Sequence, residues 1–387
     1  MRILMAVPKY PFPVVGGLER QAHELSKTLV ARGHIVHAVS GLFDPAQKKI
    51  DLIDGVWVHR MYWSESRSLR FLWLPFTLTH MVVKLMREMD LVHVHNISWF
   101  GAFITLIAKA LGLPVITKLP NIGDFGIPGM RLHPFGFLRV TLLRHSDAII
   151  AMTPESMVEL AEIGYPSGMV LKVSNGISLS PSNFSDFSSR LNGGSAIFVG
   201  RLSLEKGLID LLYAWVTVKN RYCHAKLRIL GEGPQESELK LLSQTLSLGD
   251  SVEFCGFCAD VQAELEKADL FVLPSYAEGN SNAILEAMRS GLPVVATRVG
   301  GAAIQVGSEG VRFLFKPGDR EALAGHLVTL IEDKALRNRQ GMAMRNRVES
   351  TFAIDRVAVI YETAYQLLVT GCRQQIGQLN PYLFNQS

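Results

Sequence analysis

The sequence predicts an α/β protein built from two doubly wound parallel-sheet units, and three observations lead there. Apolar runs of strand length alternate with amphipathic helical patterns along the chain. A polar stretch rich in Ser and Asn, from Ser178 to Gly194, interrupts that alternation once, as an interdomain linker does. The 387 residues, 48% of them apolar and 19% charged, are enough to bury a core in each half.

In the first half the expected strands are Ile3–Val7, Ile35–Val39, Leu91–Val94, Pro114–Thr117 and Ala148–Ala151, with helices at Leu18–Arg32 and Trp99–Leu111. The first of these, following Met1 and ending at Pro8, reads as a strand rather than a secretion signal. After the linker, strands are expected at Ala196–Val199, Lys226–Leu230, Ser251–Phe254, Leu270–Leu273 and Pro293–Ala296. Helices are expected there at Gly207–Lys219, Gln235–Leu246, Ser281–Ser290 and Arg320–Asp333. A last helix, Ile354–Leu368, is expected to pack back on the first unit. The expected domains are therefore 1–180 with helix 353–370, then 181–352, with a polar tail over 371–387. In doubly wound folds ligands bind outside the carboxyl ends of the strands, so the loops there are the place to look for chemistry.

Charge and cysteine content narrow the function classes. Residues 1–180 carry 18 Lys+Arg against 13 Asp+Glu, and nine of the eleven histidines, whereas the remainder has 21 against 22. A surplus of five positive charges favours anionic small molecules or an anionic membrane face. It is far below what a nucleic-acid duplex surface needs, so no nucleic-acid partner is expected. Four cysteines make no disulfide framework, and Cys255-x-x-Cys258 lacks the second pair of a tetrahedral metal site, so both read as small buried residues. A reducing, cytoplasmic setting follows as an expectation.

The densest chemical signal runs from Leu273 through Pro274, Glu278, Gly279, Asn280, Ser281 and Asn282 to Glu286 and Met288. A strand ends, a short loop carries Glu278, and a helix starts near Ser281, with Asn280 or Ser281 placed to cap it. The amide N–H groups at such a helix start cradle anions or hydroxyls. A carboxylate suits paired sugar hydroxyls because it accepts two hydrogen bonds at once. On spacing alone two readings stand: a sugar and ribose clamp, or a local cap at Glu278 with a solvated helix residue at Glu286. Upstream, Arg201 and Lys206 lie at the end of the first strand of the second unit, where fixed cations stabilise a departing phosphate. After the first strand of the chain come Gly16 and Gly17, which let main-chain amides approach a phosphate. His93 and His95 alternate onto one face of their strand, with His95 at its carboxyl end.

Taken together, these motifs resemble the family 4 retaining glycosyltransferases of the GT-B fold, over nearly the whole chain from Met1 to Leu368. Glu278 and Glu286 match the family's Glu-x7-Glu motif, and Gly200-Arg201-Leu202 with Glu205-Lys206-Gly207 matches its diphosphate-binding segment. The resemblance implies two Rossmann-like domains facing a central cleft, and transfer of a sugar from a nucleoside-diphosphate sugar with retention of configuration. Glu286 would then hold the ribose, Glu278 the donor sugar near its third hydroxyl, and His95 the donor sugar as well. Gly16 and Gly17 match its glycine loop and Asn175-Gly176 its Asn-Gly element, but the usual acidic residue two positions on is Ser178 here. Many relatives have His-Gly after the fourth core strand, where this chain has Thr117-Lys118-Leu119-Pro120-Asn121. The acceptor side therefore departs from the better-known pattern, with Lys118, Asn121 and Asp124 as candidate acceptor or phosphate contacts.

No Asp-x-Asp pair is present to hold a divalent ion on a diphosphate, so no metal and no cofactor is expected beyond the nucleotide-sugar co-substrate. The Gly-x-Gly-x-x-Gly fingerprint of nicotinamide enzymes is missing after both first strands, with Gly231-Glu232-Gly233 followed by Glu236 as the nearest approach. Two alternatives to transfer onto a glycan or lipid-linked acceptor share this architecture: a nucleotide-sugar epimerase and a non-catalytic sugar-nucleotide-binding protein. The run Ser68–Lys84 is apolar but interrupted by Pro75, Thr77, Thr79 and His80, which argues against a spanning helix. Met130–His145 interleaves Arg131, Arg139 and Arg144 with Leu132, Phe135, Phe137, Leu138 and Leu142. That pattern suits either peripheral docking on the inner face of the cytoplasmic membrane or helices covering the sheet.

Overall fold

The computed structural model describes residues 1–10, 16–44, 46–62, 82–120, 122–123, 126–179 and 194–379. Asn121, Asp124, the apolar run up to Met81 and most of the polar stretch after Ser178 lie outside the described residues. The chain divides into two units, one formed by Met1–Ser178 with Ile354–Phe384 and the other by Leu179–Ala353.

The first unit is an eight-stranded sheet. Its strands are β1 (Arg2–Ala6), β2 (Ile35–Leu42), β3 (Ile50–Ile53), β4 (Val56–Tyr62), β5 (Leu91–Val94), β6 (Val115–Leu119), β7 (Ala148–Ala151) and β8 (Val170–Lys172). The order is β3-β4-β2-β1-β5-β6-β7-β8, parallel throughout except for the β3–β4 pair. β5, β6 and β7 are buried along their whole length, so they show no polar-outward alternation, and His93, Thr117 and Lys118 are buried polar residues within them. The β3–β4 hairpin goes beyond the sequence expectation. It turns on Asp54-Gly55, both at positive φ (49° and 80°), the two-residue geometry for which Asp-Gly is the local signal.

Helix Ile354–Val369 belongs to this unit, across an intervening domain's length of chain. Val357, Tyr361, Ala364, Tyr365 and Leu368 recur at helical spacing and are buried in one core with Ile3, Met5, Ile116 and Ile150. Its outer edge is fixed by Glu362, which accepts two bonds from the Arg32 guanidinium (both 2.8 Å) and one from His34 (2.8 Å).

The second unit is a six-stranded, all-parallel sheet. It is built from β9 (Ser195–Val199), β10 (Lys226–Leu230), β11 (Val252–Gly256), β12 (Leu270–Leu273), β13 (Val294–Thr297) and β14 (Leu314–Phe315). The order β11-β10-β9-β12-β13-β14 puts the strand-order reversal at β9/β12, as β1/β5 does in the first unit. Ligand-binding loops of doubly wound sheets gather at such switch points. Here these are the loops after β9 and β12, and after β1 and β5. Trp215, Phe198 and Phe271 are fully buried within this unit.

At the β9/β12 switch point the two loops lie backbone against backbone. Gly207 sits at φ +66°, and a Cβ there would come within 2.0 Å of the Pro274 carbonyl oxygen. Gly231 repeats the device at φ +132°, with the Gly200 carbonyl 1.9 Å from its would-be Cβ. Gly207→Ala is expected to lower unfolding stability by roughly 1–3 kcal/mol through combined strain and clash. Urea denaturation checks this, and an unchanged midpoint would show that the two loops are not pressed together.

Candidate active site

In the second unit the loop after β9 makes a short 3-10 turn, Leu204–Lys206, that carries Lys206 over the loop after β12. The Lys206 ammonium lies 2.5 Å from Glu278 Oε1, and the Ser275 hydroxyl donates to the same oxygen at 2.8 Å. Both charged side chains are mostly buried, at 20% and 13% exposure, so the pair is shielded from the screening that weakens surface pairs. The loops are also joined through the main chain, Tyr276 N–H donating to the Glu205 carbonyl at 2.7 Å.

The segment Ser275–Ser281 is held from its other side by β13 and the helix after it. Thr297 donates to the Ser275 carbonyl (2.5 Å), Gly301 N–H to the Gly279 carbonyl (2.7 Å), and Gln305 Nε2 to the Ser281 carbonyl (2.8 Å). Ser281 occupies the N-cap position of helix Asn282–Arg289, but its side chain makes no capping bond there. Asn280 Oδ1 accepts from Gln305 instead, at 3.3 Å. The Ser281 side chain thus does not cap this helix, and Asn280 is tied to a neighbouring one. Glu286 is buried (8% exposed) in the helix, which corrects the solvated alternative, and Asn282 is half-buried at its start. Arg201 is exposed just beyond β9.

In the first unit, Gly16 is the N-cap of helix Gly17–Ala31, in extended backbone that any residue adopts. Its tight feature is the Glu19 carboxylate, 2.7 Å from a would-be Cβ. Beyond β5, His95 is buried and stacks on His93, ring centroids 4.0 Å apart and 19° from parallel. His95 Nε2 meets Met5 Sδ at 3.4 Å, and His93 Nδ1 meets the Tyr365 hydroxyl at 2.7 Å. Burial, together with the charge of Lys118, holds both imidazoles well below their usual pKa. Lys118, on β6, donates to Asn175 Oδ1 at 2.7 Å, and burial pushes its pKa down to about 8. Gln21 ties the Asn175-Gly176 turn to the first helix, its Nε2 donating to the Gly176 carbonyl at 2.9 Å. Ser275, Gln305, Gln21 and Tyr365 carry no motif; only their reach across the fold reveals them.

The basic, apolar segment forms helices Ile127–Leu132 and Gly136–Arg144. Leu132, Phe135, Phe137 and Leu138 are exposed, as are Arg131 and Arg144. Arg139 instead turns inward and donates to the Ile97 carbonyl (2.9 and 3.2 Å). Cys255 and Cys258 are partly exposed rather than buried, because β11 is an edge strand. Among the described residues no helix is long and apolar enough to cross a membrane.

Residues 15–180 match the family described as Glycosyltransferase Family 4, and residues 183–347 match Glycosyl transferases group 1. The chain is a group 1 glycosyltransferase. It is similar to glycogen synthase of Mycobacterium tuberculosis, 27% identical over 97% of this chain and 96% of that one. Among solved structures, sucrose-phosphate synthase of Thermosynechococcus elongatus superposes with a TM-score of 0.79 at 20% identity, covering 96% of this chain and 99% of that one. HepE of Anabaena, solved with UDP-glucose, superposes with a TM-score of 0.75 at 24% identity, covering 95% and 100%. These neighbours share the GT-B fold with this transferase, and the enzyme moves glycosyl groups.

The buried lysine of this transferase has a measurable signature. Between its depressed pKa of about 8 and the ordinary value of 10.5, the unfolded chain keeps a proton that the folded one has released. Stability therefore rises with pH across that window. The difference between wild type and Lys118→Met should move in favour of wild type there, by up to about 3 kcal/mol. Melting curves over that range test this, and a flat difference would mean that Lys118 is not buried as described.

Proposed function

We propose that this enzyme transfers a sugar from a nucleoside-diphosphate sugar to a glycan or lipid-linked acceptor, retaining the anomeric configuration and using no metal. The observation that carries the reading is the Lys206–Glu278 pair, with Ser275 on the same carboxylate oxygen, at the switch point of the second unit. A nucleotide sugar is the ligand such a pair suits. Its diphosphate takes the ammonium, and a sugar hydroxyl takes the carboxylate, so each charge exchanges one partner for another instead of being stripped bare. The UDP-glucose bound by HepE and the polysaccharide product named for the mycobacterial relative support this donor and this class of acceptor.

In this reading Arg201 and Lys206 stabilise the negative charge that builds on the departing phosphate as the sugar–oxygen bond breaks. They take the place of a divalent ion. Glu286 accepts the ribose hydroxyls, while the amides of Gly279 to Asn282 line the helix start. In the first unit, Gly16 and Gly17 offer main-chain amides, His95 meets the transferred sugar, and Lys118 and Asn175 serve the acceptor side; Asn121 and Asp124, outside the described residues, are the other acceptor contacts of this reading. The acceptor hydroxyl forms its new bond to the anomeric carbon on the face the phosphate leaves, and its proton passes to the departing phosphate oxygen.

Lys206→Met is expected to lower kcat about 100-fold or more, with nucleotide binding reduced far less. Steady-state kinetics and calorimetry on the same preparation separate the two, and equal losses in both would remove Lys206 from the chemical step. Full activity in a chelator is the matching expectation for metal-free transfer. Loss of activity restored by magnesium or manganese would overturn it.

The exposed Leu132, Phe135, Phe137 and Leu138, flanked by Arg131 and Arg144, suit peripheral attachment to an anionic bilayer, where a lipid-linked acceptor resides. Flotation with anionic vesicles should carry the enzyme upward, and Phe135→Ser with Phe137→Ser should abolish this. Equal flotation with zwitterionic vesicles, or none with either, counts against the site.

A further inference from the structure

The second unit holds an open cavity of about 440 Å³ beside the Lys206 loop. That volume falls within the range of about 300–1,000 Å³ usual for small-molecule sites. Leu204, Glu205 and Gly207 line it but Lys206 between them does not, and Tyr276 lines it but Glu278 does not. The cavity is therefore separate from the Lys206–Glu278 pair. Three helices begin at its wall: Leu208–Arg221, Arg320–Glu332, and Glu236–Thr245 with Gln235 as its N-cap residue.

Gln235 is the residue that points to a ligand. It is only 4% exposed, and its main chain is fixed by an N–H bond to the Leu202 carbonyl at 3.0 Å. Its side-chain Nε2 donates to Glu238 at 3.1 Å. A carboxylate can only accept, so the amide cannot be turned the other way round, and Oε1 is the atom left over. Among the described residues Oε1 is buried without a hydrogen-bond partner. An unmet buried acceptor destabilises the free protein, and a bound donor relieves it.

The other groups around the cavity limit what that donor is. Leu208 and Ile209 are the first residues of their helix, so their N–H groups have no carbonyl to bond within it, and Gly207 before them has no side chain to cap with. A hydroxyl serves both needs, donating to Gln235 and accepting from an amide. An ammonium or a carboxylate serves only one of them. The charges here are already matched. Asp210 accepts from Arg320 Nε at 2.5 Å and from the Tyr276 hydroxyl, and the Glu205 carboxylate takes the Ser203 hydroxyl at 2.6 Å. Leu204 and Tyr276 remain exposed, an aliphatic and an aromatic surface for a C–H face.

We propose that this cavity is a second sugar site, taking a neutral pyranose through a hydroxyl that donates to Gln235 Oε1 and a C–H face laid on Tyr276 and Leu204. The site stands on the second unit alone and does not depend on the donor contacts assigned above. A free sugar and one unit of a glycan chain offer the same chemistry.

Methyl α-glucoside, methyl α-galactoside, methyl α-mannoside and maltoheptaose are the probes, titrated into enzyme labelled at its Ile and Leu methyl groups. The Ile209 and Leu204 methyl resonances are expected to shift in the wild type. Gln235→Leu should raise Kd about tenfold or more, the loss of one good hydrogen bond. The free variant should melt no lower than wild type, because it removes an unmet acceptor and the Glu238 that it releases is exposed. Leu204→Ala, at an exposed position where folding is not at stake, should raise Kd about threefold through lost apolar contact. Tighter binding of maltoheptaose than of methyl α-glucoside assigns the site to a glycan chain, and equal affinity assigns it to a single sugar. Absence of shifts at Ile209 and Leu204 with every probe, or wild-type affinity in both variants, overturns the proposal. So do shifts confined to the surroundings of Glu278 and Glu286, which would leave the donor reading standing.

Discussion

Lys206 and Glu278 are 72 residues apart in sequence and 2.5 Å apart in space, and much of the second unit is arranged to make that contact. A mostly buried ion pair repays the cost of desolvation only when its geometry is fixed, because a loose pair loses Coulomb energy faster than it regains water. The fixing is done by main chain. Gly207 lies flush against Pro274, Tyr276 donates to Glu205, and Gly301 donates to Gly279. These contacts tie the two loops to each other and to the chain that follows β13. In the proposed transfer, a cation held in this way is already oriented when charge develops beside it, as electrostatic preorganisation requires.

The first unit solves a different problem. It buries two imidazoles, an ammonium and an amide at the carboxyl ends of β5, β6 and β8, where water is excluded and few counter-charges are at hand. The histidines are kept neutral, while Lys118 keeps a hydrogen bond to Asn175 in place of an anionic partner. Burial depresses the pKa of His93, His95 and Lys118 alike, and the charge of Lys118 adds to the effect on both histidines. Such a cluster costs stability, and the fold offsets this with apolar contact from Val357, Tyr361, Tyr365 and Leu368. The C-terminal helix thus closes the core and also supplies the hydroxyl that the buried histidine needs.

Much of this was legible in the order of the residues. A strand buried on both faces is apolar along most of its length, so Leu91–Val94, Ala148–Ala151 and Leu270–Leu273, with His93 as their one polar residue, show their central position directly. The short or half-exposed elements were not so marked. β3 and β4 sit at the sheet edge with Ile50, Leu52 and Trp57 exposed, and helices Val261–Glu266 and Lys334–Arg347 lack a broad apolar stripe. The Asp54-Gly55 turn was the one local sign of the hairpin.

By itself the sequence determined two doubly wound units, the loop that carries Glu278 into the helix of Glu286, and the cations after β9, because each depends on neighbours within a few residues. Tertiary structure alone decided which of those groups meet. It set Lys206 against Glu278 with Ser275, tethered Asn280 to Gln305, turned Arg139 inward to Ile97, and joined Tyr365 to His93. The physical reason is reach. Local periodicity records which side of an element faces the core, while a hydrogen bond across the fold depends on where two distant loops or helices are placed by the packing of everything around them.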